Sequence, residues 1–240
     1  MSPLTAGGTG SPEFSFEVAP DGTFDFAVGE EEPAPVQPLA PNGCSDSTYK
    51  ITPWEMMNAY EWYVGDGGMP GGLSLTAAQT AFADAINNIT GGYNNCGISD
   101  TIDANSYYKG RTSYESDINS SNQCTARDKK STWDAGNLAA GTLAVNCTWY
   151  TTTSSGSTTY SLEGDVRYNT TDFNFTNSPT ASCSNKWDVR AVGTHEAGHA
   201  FGLDHAPGAP TQTMYYAIDE CDTSYRTLGK GDMKGLEYLY

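Results

Sequence analysis

The stretch His195-Glu196-Ala197-Gly198-His199-Ala200-Phe201-Gly202-Leu203-Asp204-His205 decides how the chain is read, and it contains all 3 histidines of the 240 residues. His195 and His199 stand four apart, which on a helix makes them neighbours on one face, so both imidazoles can reach one ion. Glu196 follows His195 directly and brings a carboxylate to the same region, within reach of a water at that ion. Gly202 lets the chain leave the helix in a left-handed conformation that other residues resist. That turn can return His205 as a third ligand. Three neutral imidazoles with a fourth position open make a catalytic zinc site rather than a closed structural one. A lone HExxH occurs by chance in many helices; the extended spacing, in a chain with so few histidines, is far more specific.

Composition bounds what surrounds this stretch. The 29 acidic residues against 12 basic ones give a formal charge of −17. Such a surface repels nucleic acid and anionic membranes, which are excluded as partners. No apolar run approaches the roughly 20 residues of a membrane span. The acidity suits solubility in a secreted protein. It also leaves Ca2+ open as a second ion, although no EF-hand-type loop is present. The length suffices for one substantial catalytic domain.

Six cysteines, at 44, 96, 124, 147, 183 and 221, lie far apart with no CxxC pair. That spacing argues for disulfides in an oxidising, extracellular compartment and against a structural zinc cluster. Cys96–Cys124 is the local bridge expected. Residues 1–14 end in Gly10-Ser11-Pro12-Glu13-Phe14, which reads like a cloning-site scar, so a native export signal is expected to have been replaced. Residues 15–43 are acidic and Pro-rich without a sustained period. They read as a flexible arm or a propeptide remnant. The catalytic domain is expected from 44 to 240.

Within it, Ala59–Val64 alternates and is aromatic-rich, which predicts a strand. Thr76-Ala77-Ala78-Gln79 has the form of a capping box with Thr76 as N-cap. It precedes Ala81, Phe82, Ala85, Ile86 and Ile89 at helical spacing, ending at Gly91-Gly92. Residues 94–130 are polar and weakly patterned, and loops are expected there. Leu143–Tyr150 reads as a strand, 152–158 as a turn, and Tyr160–Tyr168 as the antiparallel partner. Trp187, Val189 and Val192 lead into the histidine helix. A last helix is expected to open at Asp232, with Met233, Leu236 and Leu239 facing inward.

Met214 follows the third histidine at the start of Met214-Tyr215-Tyr216. Alone it would read as ordinary core. Together with HExxHxxGxxH it makes the chain resemble the metzincin zinc endopeptidases, whose motif is followed by a methionine turn. Ala59–Val64, Gly164-Asp165-Val166-Arg167-Tyr168-Asn169, Cys183–Trp187 and Leu228–Asp232 make it similar to the matrixin branch, and to secreted matrixin-like peptidases of actinobacteria. The resemblance covers about residues 44–240.

It implies an α+β fold: a twisted mixed sheet, an active-site helix, a backing helix and a C-terminal helix. It also implies His195, His199 and His205 as ligands of one catalytic Zn2+, Glu196 as general base, Gly202 as the turn and Met214 as the floor of the site. Tyr216, two after Met214, stands where astacins and serralysins place a tyrosine that can ligate zinc and stabilise the transition state; matrixins usually have proline there. The strand holding Gly164, Asp165 and Val166 would be the edge along which a peptide substrate lies antiparallel. The extra histidines that hold a second, structural zinc in vertebrate matrixins are missing, so that site is expected to be absent. Ala206, after the third histidine, fits none of the residues that usually sort metzincin branches. Pro41-Asn42-Gly43-Cys44 lacks the arginine of the latency motif, and a disulfide is expected for Cys44.

The function expected is therefore a secreted, monomeric metalloendopeptidase acting on internal peptide bonds of proteins or peptides. Two other readings stand beside it. One is a secreted zinc hydrolase on a non-protein substrate. The other is a non-catalytic, zinc-stabilised binding module, against which the intact glutamate and the open position argue.

Overall fold

The computed structural model describes residues 3–6, 13–18, 24–29, 43–56, 58–153 and 159–240. Its frame is a twisted mixed sheet built on five strands: β1 (Tyr60–Val64), β2 (Ser106–Arg111), β3 (Ser131–Gly136), β4 (Thr142–Thr152) and β5 (Thr159–Asn169). Their order across the sheet is β4-β5-β3-β1-β2. Every pair is parallel except β4 with β5, which is antiparallel. Beyond β4 lie the strand Pro3–Ala6, antiparallel to it, and then β6 (Ala217–Ile218), parallel to Pro3–Ala6. The short strand Glu55–Met56 joins the start of β5.

Three helices complete the fold: α1 (Leu75–Thr90), α2 (Val189–Ala200) and α3 (Lys230–Leu239). The apolar stripe of α1, with Ala78, Ala81, Phe82, Ala85, Ile86 and Ile89 all buried, is the one its periodicity predicts. Phe82 meets Trp133 of β3 and Tyr168 of β5 at ring distances of 5.2 and 5.5 Å, so the helix seals one face of the sheet. α1 and α2 pack side by side.

Several expectations need correction. The N-cap of α1 is Ser74, whose hydroxyl accepts from Ala77 N–H; Thr76 lies inside the first turn. α3 opens at Lys230, and Asp232 is in its first turn. The stretch 94–130 holds β2, a strand that pattern reading missed because most of its side chains are exposed and so do not alternate in hydropathy. Residues 13–18 and 24–29, partly inside the expected arm, pair as an antiparallel hairpin. Most of the turn expected at 152–158 lies outside the described residues.

The cysteines pair as Cys44–Cys96, Cys124–Cys147 and Cys183–Cys221, so the local Cys96–Cys124 bridge is not formed. The substrate edge was also misplaced. Gly164, Asp165 and Val166 lie on β5, which pairs with β4 on one side and β3 on the other. The five end at β4 on one side and at β2 on the other, and the far side of β4 pairs with Pro3–Ala6.

Candidate active site

The first two histidines owe their position to α2, and α2 owes its position to its start. Asp188 is fully buried, caps the helix by accepting from Ala191 N–H at 2.8 Å, and takes the guanidinium of Arg226 at 2.7 Å through Nε. One buried carboxylate thus ties the helix to the chain 38 residues later. Helical geometry then puts His195 and His199 one turn apart, with ring centroids 4.7 Å from each other.

The third histidine arrives by the glycine turn. Gly202 has φ 92°, and a Cβ there would meet Trp54 O at 2.5 Å, so both conformation and space call for glycine. Leu203–Asp204 then pairs with Lys50–Ile51, which directs His205 back toward the helix. Its ring comes within 5.0 Å of His195 and 4.9 Å of His199. All three imidazoles are buried.

Their hydrogen bonds fix which nitrogen is presented. His195 Nδ1 lies 2.7 Å from Thr213 O, and His199 Nδ1 lies 2.9 Å from Leu203 O. A carbonyl only accepts, so in both rings Nδ1 carries the proton and Nε2 carries a lone pair. Those Nε2 atoms stand 3.0 Å apart, and His205 Nε2 is 3.0 Å from that of His195. Lone pairs facing each other at that distance repel unless a cation lies among them. Zinc–nitrogen bonds of about 2.0–2.1 Å in a tetrahedron put ligand nitrogens roughly 3.3 Å apart, close to what these rings already adopt. Burial pushes His195 and His199 well below the usual histidine range, and the neighbouring imidazoles add to it, so both rings stay neutral and able to ligate. The residues fit zinc, and carbonyls behind the rings are the usual orienting partners.

Met214 lies under this group. It is buried, and a Cβ on Gly198 would meet its Sδ at 2.3 Å, so the sulfur rests against bare helix backbone between the two helical histidines. The turn that carries it is held by Asp232, which accepts from Thr213 N–H at 2.7 Å, Met214 N–H at 3.2 Å and Gly229 N–H at 2.8 Å. Gln212 adds a second tie, accepting from Gly231 N–H and donating to Gly43 O. Sequence reading placed Asp232 at a helix start but did not see that its carboxylate supports the methionine turn. Asp188, Arg226 and Gln212 were missed altogether, since none belongs to a short motif.

Glu196 is fully buried on α2 beside His195. Tyr216 has its ring 6.3 Å from that of His205, and its hydroxyl accepts from Tyr215 Oη at 3.3 Å. The structure therefore gathers His195, His199, His205, Glu196, Gly202, Met214 and Tyr216 into one region. Gly164, Asp165 and Val166 belong to the interior of the sheet.

Comparison with known proteins agrees with this geometry. The family model for matrixins matches residues 105–240, more than half of the chain. Among curated proteins, none matches it.

Proposed function

The chain belongs to the matrixin family of zinc metallopeptidases, and from that premise we propose that it is a secreted endopeptidase cutting internal peptide bonds of proteins with Glu196 as general base. The observation that carries this reading is the convergence of three imidazole Nε2 atoms, with the tautomers of His195 and His199 fixed by carbonyls at their Nδ1 atoms. Bound zinc would supply Lewis acidity, polarising the scissile carbonyl and bringing the pKa of a water to about 7.

The remaining steps fall to the chain's own groups. His195, His199 and His205 hold the ion. Glu196 accepts the proton of the attacking water and returns it to the leaving amine. Tyr216, beside His205, donates its hydroxyl to the developing oxyanion. The substrate lies extended between β4 and β6, antiparallel to the first and parallel to the second. In support, Pro3–Ala6 already occupies a strand position between them in those directions. Secretion is supported by the pairing of all six cysteines in disulfides. No helix among the described residues is long and apolar enough to cross a membrane. The protein acts as a monomer.

The test is digestion of casein by the full chain with one equivalent of zinc, after chelation, and after zinc is restored. Cleavage that disappears and returns with the metal supports the reading. Cleavage that ignores the chelator overturns it, as does zinc-loaded protein that never cleaves. Tyr216→Phe should lower kcat by about 10²-fold with KM little changed, as expected for a lost oxyanion donor; an unchanged kcat removes Tyr216 from the mechanism.

A further inference from the structure

We propose that the Cys183–Cys221 disulfide positions β6 as the wall of the substrate groove, and that opening it by exchange with an external dithiol weakens peptide binding while the histidine site keeps its zinc. This rests on the reading above in which the substrate lies between β4 and β6.

Little else holds β6 in place. It is two residues long, and its only strand partner among the described residues is Pro3–Ala6, which stands where the substrate is proposed to lie. Its position is therefore set by its flanks. Upstream is the methionine turn, braced by Asp232 and Gln212. Tyr225 adds one hydroxyl proton, shared between Ala217 O at 3.1 Å and Pro210 O at 3.2 Å. Downstream, three residues past Ile218, Cys221 is bonded to Cys183 in the stretch that leads into α2. The 38-residue separation encloses α2, the three histidines, Met214 and Tyr216, so one covalent bond joins both ends of the segment that carries the site.

The contacts that run beside the disulfide are few. Cys221 N–H donates to Lys186 O at 2.7 Å, Trp187 Nε1 donates to Ile218 O at 3.4 Å, and Asn185 N–H donates to the Glu220 carboxylate. Ser184, Asn185 and Lys186 are exposed, so water competes for these bonds.

The backbone supplies a second, independent observation. Cys221 has φ 62° and Asn185 φ 49°, one on each side of this joint. Asparagine visits the left-handed region readily, whereas cysteine stays there only when its surroundings hold it. With the bond open, Cys221 can return to the common region, which carries its N–H away from Lys186 O and loosens the chain after β6. Among the described residues no other cysteine has a positive φ, so this bridge has a release of backbone strain that the others lack. It is also reachable: Cys183 and Cys221 are half-buried, while Cys124 and Cys147 are buried. Asp219, Glu220 and Asp222 surround Cys221 in sequence and repel anionic thiols, which leaves an uncharged dithiol as the fitting reductant.

The exchange balances. One thiolate of the dithiol attacks a sulfur of the bridge, forming a mixed disulfide and releasing the other cysteine. The second thiolate then attacks the mixed disulfide, closing the dithiol into its own disulfide and releasing the first cysteine. Two electrons pass to the bridge, and the two protons end on Cys183 and Cys221.

The test uses the full zinc-loaded chain and compares the parent with Cys183→Ser/Cys221→Ser, each with and without a limiting dose of a trialkylphosphine. The phosphine delivers the same two electrons and takes zinc less readily than a dithiol. Alkylation mapping should find Cys183 and Cys221 modified first. The opened parent and the variant should both keep one zinc and show KM for a peptide raised about 10-fold with kcat little changed, the pattern of lost uniform binding. The variant should not respond further to the phosphine. In the Glu196→Ala background, amide exchange at Ala217, Ile218 and Cys221 should accelerate on opening while α2 stays protected. If the variant fails to fold, the parent opened at this bridge decides. Another bridge opening first, KM unmoved once Cys183–Cys221 is open, or zinc lost with it would overturn the proposal. An oxidised, zinc-loaded parent that never cleaves overturns the endopeptidase reading instead; amide exchange then decides alone, and unchanged exchange at β6 overturns the positioning role.

Discussion

In the sheet half, from β1 to β5, neighbouring strands support one another through repeated backbone hydrogen bonds, and the aromatic core of Phe82, Trp133 and Tyr168 covers one face. The segment from Leu203 to Tyr240 has two two-residue strands, one turn of 3-10 helix at Ser224–Arg226 and one α-helix of its own. Its path is set by single side chains: Gln212, Asp232, and Arg226 against Asp188. The histidine site lies at the seam. His195 and His199 come from a helix packed in the first half, while His205, the Thr213 carbonyl and Met214 come from the second. Damage to the sheet half should therefore appear as lost stability. Damage to the later segment should appear as lost metal and lost turnover.

The largest effect expected is at the seam itself. His205→Ala should leave a folded protein without a zinc ligand, with cleavage reduced to background and metal content near zero by atomic emission. Retained zinc and turnover would contradict its assignment.

In the sheet half, Arg167 makes a two-point ion pair with buried Asp134 at 2.7 and 2.9 Å, across the β3–β5 register. Arg167→Ala leaves that carboxylate unpaired and should cost about 3–5 kcal/mol in denaturant unfolding. Activity per folded molecule should barely change. In the later segment, Asp232→Ala strands three N–H groups. It should cost about 1–3 kcal/mol, yet weaken zinc binding by roughly 10–100-fold, because Thr213 O orients His195. If Arg167→Ala also cost zinc affinity, or Asp232→Ala did not, the contrast between the halves would fail.

The smallest effect concerns pH. Burial raises the Glu163 carboxyl to about 7, against its backbone donors from Lys129 and Asp128. A carboxyl raised by folding contributes stability below its unfolded pKa, and that contribution is lost as pH rises through the folded value. The protein should thus lose stability between about pH 5 and 7. The check is Tm against pH, and Glu163→Gln should flatten the slope.

How far the sequence revealed this molecule follows the same division. The candidate metal site was legible because its three histidines fall within eleven consecutive residues whose spacing matches helix geometry and a glycine turn. Helix α1 was legible from its apolar stripe. Strand order was not, since β4 and β5 both read as largely buried runs, and nothing in either says which one lies outermost. The disulfide Cys44–Cys96 closes a separation of 52 residues, which local spacing cannot anticipate.

The most direct measurement is the turnover of Glu196→Ala beside wild type, each with zinc content determined on the same sample. The account predicts one zinc in both and a loss of cleavage of at least about 10²–10⁴-fold in the variant. A zinc-loaded variant that still cleaves casein at near the wild-type rate would contradict it.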